Sequence, residues 1–271
     1  MAVTPKSSLN ASHRRTLIVV SVIIAVVVLV SALFVYRSLI VDDDGLIRVK
    51  TASELNEAIN NAAVGVPTTI AFTTDIFLGP ELTIPTGADI TLTSDSKTDF
   101  FRLVGWDGQG VIRVMNGGRL TIDGIIVTHE AGSTGLGIIV IGTLIMVDGK
   151  ISGNTGGVDI SASGVFELVS GVISDNVAER GSGVYVNEGT FKMSGGKISG
   201  NTATVSDWYA GGGGVFMWKG HFEMSGGVIT NNTAQGYGGG VYNMYGTVDR
   251  LGGEIYGNTA TEGNDVHERT D

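Results

Sequence analysis

The sequence contains no cysteine, so neither a disulfide framework nor a thiolate metal site can hold its fold together. Proline is also rare, with 4 residues against 42 glycines, and this ratio excludes a collagen-like repeat. An extracellular domain without disulfides is more typical of a prokaryotic surface, archaeal or bacterial, than of a eukaryotic secreted protein.

Basic residues are scarce after the N-terminus. The chain has 17 Lys and Arg against 27 Asp and Glu, and the basic residues Lys6, Arg14, Arg15 and Arg37 all precede the first acidic one. The remaining chain therefore carries 13 − 27 = −14 formal charges. Such a charge repels nucleic acids and anionic glycans, so we expect no nucleic-acid partner and instead neutral or cationic partners.

Charge is absent altogether from residues 17–36, a run of 20 mostly apolar residues. One helix of this length crosses a hydrocarbon core of about 30 Å. The positive-inside rule then places the tail, residues 1–16, in the cytoplasm and the chain from Asp42 onward outside. We therefore predict an uncleaved, single-pass signal-anchor helix in the cell membrane. A signal peptide cleaved near residues 30–32 is the alternative, although the apolar run continues beyond that point.

The segment between the predicted anchor and residue 118 has two parts. Residues 37–50 look like a stalk that leads into a first strand, and residues 51–117 like a capping helix followed by irregular first coils. Thr51 and Glu54 have the spacing of a capping box at a helix N-terminus. Apolar residues follow at the spacing of one helix face: Leu55, Ala58, Ile59 and Ala62.

Residues 118–267 are an internal repeat, followed by a short tail, residues 268–271. The unit GTFKMSGGKISGNT begins at residue 189, and related units begin 22 to 31 residues apart along the chain. Each unit holds three short strands separated by glycine-rich turns, and none can close a core alone. Stacked units predict an all-β fold, a right-handed single-stranded parallel β-helix with three short strands per coil.

Alignment of the units predicts which side chains stack on neighbouring coils. The first strand gives an apolar column: Leu120, Leu144, Phe166, Phe191, Phe222 and Val248. The second strand gives an isoleucine column: Ile151, Ile173, Ile198, Ile229 and Ile255. One column is predicted to face solvent: Ile145, Glu167, Lys192, Glu223 and Asp249. A further column predicts a structural asparagine ladder, because each amide both donates and accepts: Asn154, Asn176, Asn201, Asn232 and Asn258.

The repeat units GTFKMSGGKISGNTA and GGGVYN resemble those of adhesin-like surface proteins with right-handed β-helix repeats. The resemblance covers about residues 110–266, and the helix near residues 46–63 is similar to the N-terminal cap of the broader pectate-lyase-like superfamily. It implies the β-helix fold and leaves the function open, since this fold hosts lyases, hydrolases, adhesins and structural proteins.

Titratable residues do not gather in the pattern that catalysis needs. A glycosidase requires two carboxylates facing one groove, but Lys192 separates Glu167 from Glu223 in their column. We therefore predict no catalytic residues, no cofactor and no metal site. The alternative, an extracellular polysaccharide lyase or hydrolase, would require a groove that gathers two carboxylates, or a carboxylate with an arginine.

The remaining candidates for function lie where the repeat is interrupted, above all in the loop of residues 203–213. Aromatic side chains on a rigid scaffold suit sugar-ring stacking or a protein contact. The candidate ligand-binding aromatics are Trp208, Tyr209, Tyr237, Tyr185, Phe216, Trp218, Tyr242 and Tyr245. We expect Tyr185, Phe216 and Tyr242 to form one outward column; alternatively, the loop covers them as a small satellite core.

The leading hypothesis is a membrane-anchored, non-catalytic protein for adhesion or cell-surface interaction, with a carbohydrate or a surface protein as its partner. A structural subunit of a surface layer or filament is another alternative. It would assemble end to end through the C-terminal coil, whose open strand edges invite pairing.

Overall fold

The computed structural model describes residues 44–96, 98–161 and 163–269. The predicted anchor, residues 17–36, and the tail before it lie outside these ranges. Within the described ranges, no helix is long and apolar enough to cross a membrane.

The described chain is an all-β parallel solenoid of about nine turns. Its strands are β1 (Ile47–Val49), β2 (Pro67–Phe72), β3 (Ile76–Phe77), β4 (Leu82–Ile84), β5 (Asp89–Ser94), β6 (Arg102–Gly105), β7 (Ile112–Val114), β8 (Arg119–His129), β9 (Ile138–Val140), β10 (Thr143–Ser152), β11 (Val158–Ser161) and β12 (Val165–Leu168). They continue as β13 (Val172–Ser174), β14 (Val177–Ala178), β15 (Val184–Met193), β16 (Lys197–Ser199), β17 (Thr202–Ala203), β18 (Val215–Met224), β19 (Val228–Thr230), β20 (Thr233–Ala234), β21 (Val241–Asn243), β22 (Thr247–Arg250), β23 (Glu254–Tyr256) and β24 (Val266–Glu268).

Equivalent strands of successive coils pair in parallel and form three long faces, besides a separate three-stranded sheet of β14, β17 and β20. The first face pairs β1, β2, β5, β8, β10, β12, β15, β18 and β22 in that order. The second face pairs β3, β6, β8, β10, β13, β16, β19 and β23. The third face pairs β4, β7, β9, β11, β15, β18, β21 and β24. The long strands β8, β10, β15 and β18 therefore each contribute to two faces.

In the part of the chain that the structure describes there is one helix, α1 (Ala52–Asn61), which follows β1. Thr51 caps it as predicted, since its hydroxyl accepts a hydrogen bond from the Glu54 backbone N–H at 3.2 Å. In a capping box the Glu54 side chain would accept from the backbone N–H of Thr51. Here the Glu54 carboxylate instead accepts from the backbone N–H of Lys50 at 2.8 Å. The buried side of the helix joins the main core through Leu55, Ala58 and Ile59.

The strand register confirms the predicted apolar columns. Phe166, Phe191 and Phe222 stack with ring centroids 5.1 and 4.8 Å apart, and the isoleucines of the second face pair directly. The coils before residue 118 are more regular than predicted, because Ile47, Ile70 and Leu92 pair in one column there, which continues into Ile122. Alternating apolar residues were sufficient to pair the strands of these coils, although the coils lack the glycine pattern of the repeat.

The predicted solvent-facing column is only partly correct. Its members pair in register, and Lys192 lies 3.8 Å from the Glu167 carboxylate. The prediction was wrong for Ile145, which is only 8% exposed. Register determines the side of the strand from which a side chain emerges, whereas its exposure also depends on the neighbours that cover it.

The asparagine ladder is confirmed. The amide nitrogen of each asparagine before Asn258 donates to the amide oxygen of the next coil's asparagine at 2.9 to 3.0 Å. Two residues that the sequence did not reveal complete its ends. His129 Nδ1 lies 2.8 Å from the Asn154 amide oxygen, and the Asp265 carboxylate accepts two bonds from Asn258, both of 3.0 Å. The ladder's polar groups are thereby satisfied inside a buried column, as a structural role requires.

Candidate functional site

The third face carries a line of side chains that point away from the core. One residue from each of its strands contributes to this outer column: Thr83, Arg113, Ile139, Asp159, Tyr185, Phe216, Tyr242 and His267. The predicted alignment of Tyr185, Phe216 and Tyr242 is therefore confirmed. The column changes character along the axis, from polar and aliphatic in the early coils to aromatic in the later ones.

The aromatic half of the outer column is largely covered. Phe216 is fully buried and Tyr242 is 2% exposed, so the expectation that they face a ligand was wrong. They form a second, smaller core with Met244 under the loop of residues 203–213. Burial raises the pKa of Tyr242, and its protonated hydroxyl donates to the Trp208 carbonyl at 2.7 Å. The alternative prediction, that the loop covers these side chains as a small satellite core, is therefore correct for Phe216 and Tyr242.

Glycine allows the covering loop to lie this close. At Gly211, a Cβ would lie 2.0 Å from the Tyr237 carbonyl oxygen, and at Gly212 one would lie 2.3 Å from the Val215 carbonyl oxygen. Both residues also have positive φ angles, of 155° and 62°. The missing side chains let Gly212 N–H donate to the Tyr237 carbonyl at 2.9 Å, which fixes the loop on the next coil.

Part of the predicted set stays accessible, namely Trp208, Trp218 and Tyr245. Together with Arg269, which the sequence did not indicate, we call these residues the aromatic–arginine patch. Trp208 is 55% exposed and Tyr245 45%. The Arg269 guanidinium lies 4.9 Å from the centroid of each of these two rings and donates a hydrogen bond to the Tyr245 hydroxyl. Trp218 meets the Tyr245 ring edge to face at 5.4 Å. These contacts hold accessible rings in one arrangement.

The other predicted aromatics are half-buried and support the loops around the patch. The Arg180 guanidinium lies 5.3 Å from the Tyr209 ring centroid. Tyr237 packs against His267 with centroids 4.7 Å apart, and Tyr185 packs at the edge of the small core. These three tyrosines are therefore less accessible than Trp208 and Tyr245.

The polar half of the outer column borders an open cleft of about 400 Å³, the Glu81–Arg113 cleft. Arg113 donates from two nitrogens to the two Glu81 carboxylate oxygens, at 2.6 and 3.2 Å. The rest of the lining comes from Gly108, Gln109, Gly110, Thr134, Gly135, Leu136, Ile139 and Thr155. Sequence reasoning missed this cleft, because its lining comes from four different coils and its ion pair precedes the repeat that begins at residue 118. The available signals were an arginine in the apolar strand β7 and the glycine-rich GWDGQG segment.

Asp159 follows Ile139 in the outer column and is half-buried. The Ser161 hydroxyl donates to its carboxylate at 2.8 Å. Burial raises the pKa of Asp159 above its ordinary value, although the Ser161 hydrogen bond and the positive charge of Arg113 oppose the shift. Folding therefore shifts this group toward its protonated form relative to the unfolded chain.

We expect Asp159→Asn to stabilise the protein at neutral pH. Because the folded-state pKa is raised, the contribution of Asp159 to stability is complete below the unfolded-state pKa and is lost as the pH rises through the folded-state pKa. Asparagine does not ionise, so the variant does not lose this stability as the pH rises. Its melting temperature should exceed that of wild type at pH 7, and the difference should vanish on acidification. Exposed Asp123→Asn is the control and should show no such trend. A gain that persists unchanged in acid would contradict the explanation.

No group of three or more His, Asp or Glu side chains within the described ranges is arranged to hold a metal ion. Comparison with protein-family models, with curated proteins and with solved structures found no significant match to this chain. The candidates for function are thus the aromatic–arginine patch and the cleft, each judged by its own geometry.

Proposed function

We propose that this chain is a membrane-anchored, non-catalytic surface protein of a prokaryotic cell that acts in adhesion by binding a neutral glycan. In this proposal residues 17–36 anchor it, the solenoid is a right-handed β-helix, and α1 caps its N-terminal end. The observation that carries the proposal is the aromatic–arginine patch, which holds Trp208 and Tyr245 accessible around one guanidinium. The resemblance of the repeats to those of adhesin-like proteins supports it.

The chemistry of the patch favours a sugar. Indole and phenol rings stack on the apolar faces of sugar rings, while the guanidinium and the phenol hydroxyl can bond sugar hydroxyls. The contacts with Arg269 fix the rings before binding, so little side-chain entropy is lost when a ligand arrives. The 13 − 27 = −14 charges after residue 41 disfavour a polyanionic glycan.

We expect Trp208→Ala to weaken binding of the full chain to an immobilised neutral polysaccharide at least tenfold, about 1.4 kcal/mol. The bond from Tyr242 goes to the Trp208 backbone carbonyl, so the variant removes the ring and keeps the loop's anchor. Surface plasmon resonance on a panel of neutral polysaccharides measures the effect. Tyr256→Ala is the matched control, since Tyr256 is 52% exposed but lies on the second face. Equal binding by both variants would contradict the role of the patch.

A polysaccharide lyase or hydrolase is the second candidate, because the Glu81–Arg113 cleft does join a carboxylate to an arginine. Asp159 has a raised pKa and lies two coils from Arg113 in the outer column. We favour binding because the Glu81 carboxylate is already engaged by the guanidinium at both oxygens. Soluble fragments released from the polysaccharides of the binding panel would favour the enzyme instead. Filaments of the purified chain in light scattering would favour the structural subunit.

A further inference from the structure

The floor of the Glu81–Arg113 cleft combines a neutralised ion pair with aliphatic surface. The Glu81 side chain is 17% exposed and that of Arg113 35%, so both remain reachable from solvent. Ile139 and Leu136 supply the apolar part of the lining. A ligand at this floor therefore meets hydrogen-bond donors and acceptors without a net charge, next to an apolar surface.

Two neighbouring loops form the walls, and hydrogen bonds join them before any ligand arrives. Gly108 N–H donates to the Thr134 carbonyl at 2.7 Å, and Thr134 donates from N–H and hydroxyl to the Asp107 carboxylate at 2.7 and 3.1 Å. These bonds lower the pKa of Asp107, so it stays ionised and keeps accepting them. His129 Nε2 lies 2.9 Å from the Gln109 carbonyl oxygen and ties one wall to the asparagine ladder. The cleft is therefore a prebuilt concavity.

Size and lining together indicate a small, uncharged ligand. The volume of about 400 Å³ falls within the range of roughly 300–1,000 Å³ that is usual for small-molecule sites. A charged ligand would compete with one partner of the ion pair and leave the other without its counter-charge. A molecule with hydroxyls on its edge and C–H groups on its faces meets both the polar and the aliphatic lining. Trp106, 62% exposed, begins the loop that forms one wall and offers a stacking surface nearby.

We propose that the Glu81–Arg113 cleft binds one ring of a neutral sugar, through hydroxyl hydrogen bonds to the carboxylate–guanidinium pair and apolar contact with Ile139. This site is separate from the aromatic–arginine patch, whose residues belong to the last coils of the solenoid. It adds a second point of recognition to the proposed function and does not depend on that function being correct.

The test uses the full chain, purified in a detergent without a sugar headgroup, and isothermal titration with glucose, galactose and mannose. Wild type should bind at least one of them saturably. Gly110→Ala should weaken that binding at least tenfold, because a Cβ there would lie 2.4 Å from Glu81 Oε2 and displace the carboxylate. Gly110 does not have a positive φ, so alanine causes no backbone strain. Arg113→Gln should show a similar loss.

Arg119→Gln is the matched control. It removes another arginine of an ion pair, 3.8 Å from Asp89, that does not line the cleft. Melting curves must show that all variants are folded. The proposal is overturned if wild type binds none of the three sugars, if folded Gly110→Ala and Arg113→Gln bind like wild type, or if glucuronate or glucosamine binds in preference. Loss of monosaccharide binding in Gly110→Ala and Arg113→Gln would locate the site in the cleft, whereas loss in Trp208→Ala alone would assign it to the patch and overturn the proposal, so failure of the patch and failure of the cleft can be told apart.

Discussion

Replacement of Asn201 by leucine is expected to lower the free energy of unfolding by at least about 3 kcal/mol. Asn201 is fully buried and stands in the middle of the ladder. Its amide oxygen accepts from the backbone N–H and the amide of Asn176 at 3.1 and 3.0 Å. Its amide nitrogen donates to the Ile173 carbonyl at 3.1 Å and to Asn232 at 2.9 Å. Leucine is similar in size but offers none of these bonds, and each orphaned buried group costs about 1–3 kcal/mol.

Thermal and denaturant unfolding of wild type and variant measure this loss. Asn116→Leu is the control, because Asn116 is an exposed turn residue and its replacement should change stability by less than about 0.5 kcal/mol. The loss should also spread to both adjacent coils, since Asn176 loses two hydrogen bonds to the Asn201 amide and Asn232 loses one. A melting temperature for Asn201→Leu that equals that of wild type would refute the structural role of the ladder.

The ladder also shows how far the repeat alone could predict the fold. Its five asparagines recur at equivalent positions, so the period of the sequence was sufficient to align them. The residues at its ends do not recur. Asp265 takes the terminal position only 7 residues after Asn258, and His129 belongs to a coil that lacks the repeat's asparagine. Alignment of repeat units finds what every coil shares, whereas the ends of a column are satisfied by whichever unique residue reaches them.

The sequence predicted which aromatic residues align at the candidate site, but it did not predict which of them are exposed. The column of Tyr185, Phe216 and Tyr242 follows from strand alternation, but its burial depends on a loop of unique sequence that folds back over it. Two adjacent glycines that let the loop approach look like any other glycines of this glycine-rich chain. The Glu81–Arg113 pair was beyond prediction for another reason. Its partners are 32 residues apart, and only the coil register brings them together.

The Phe166–Phe191–Phe222 stack is the basis of the other large effect. Phe191 is fully buried, and its ring faces both neighbours, with centroids 5.1 and 4.8 Å away. We expect Phe191→Ala to cost about 3–5 kcal/mol, because truncation removes the apolar burial and leaves a cavity that rigid neighbouring strands cannot fill. In a solenoid each coil contacts only the coils beside it, so one truncation weakens two successive interfaces. Unfolding should then lose its single cooperative step, and the coils after Phe191 should open separately from those before it.

Denaturant melts combined with hydrogen exchange can separate this local effect from general destabilisation. Amides of β18, β19 and β21 should lose protection in Phe191→Ala before those of β5 and β8. Phe77→Ala is the matched control, since Phe77 is 56% exposed, and it should shift stability by less than about 0.5 kcal/mol. Phe191→Leu should recover most of the loss, because leucine refills much of the cavity with apolar volume. If Phe191→Ala were no more costly than Phe77→Ala, the phenylalanine stack could not be what joins the later coils, which carry the aromatic–arginine patch, to the earlier ones. The integrity of that patch would then have to depend on the isoleucine column and the ladder alone.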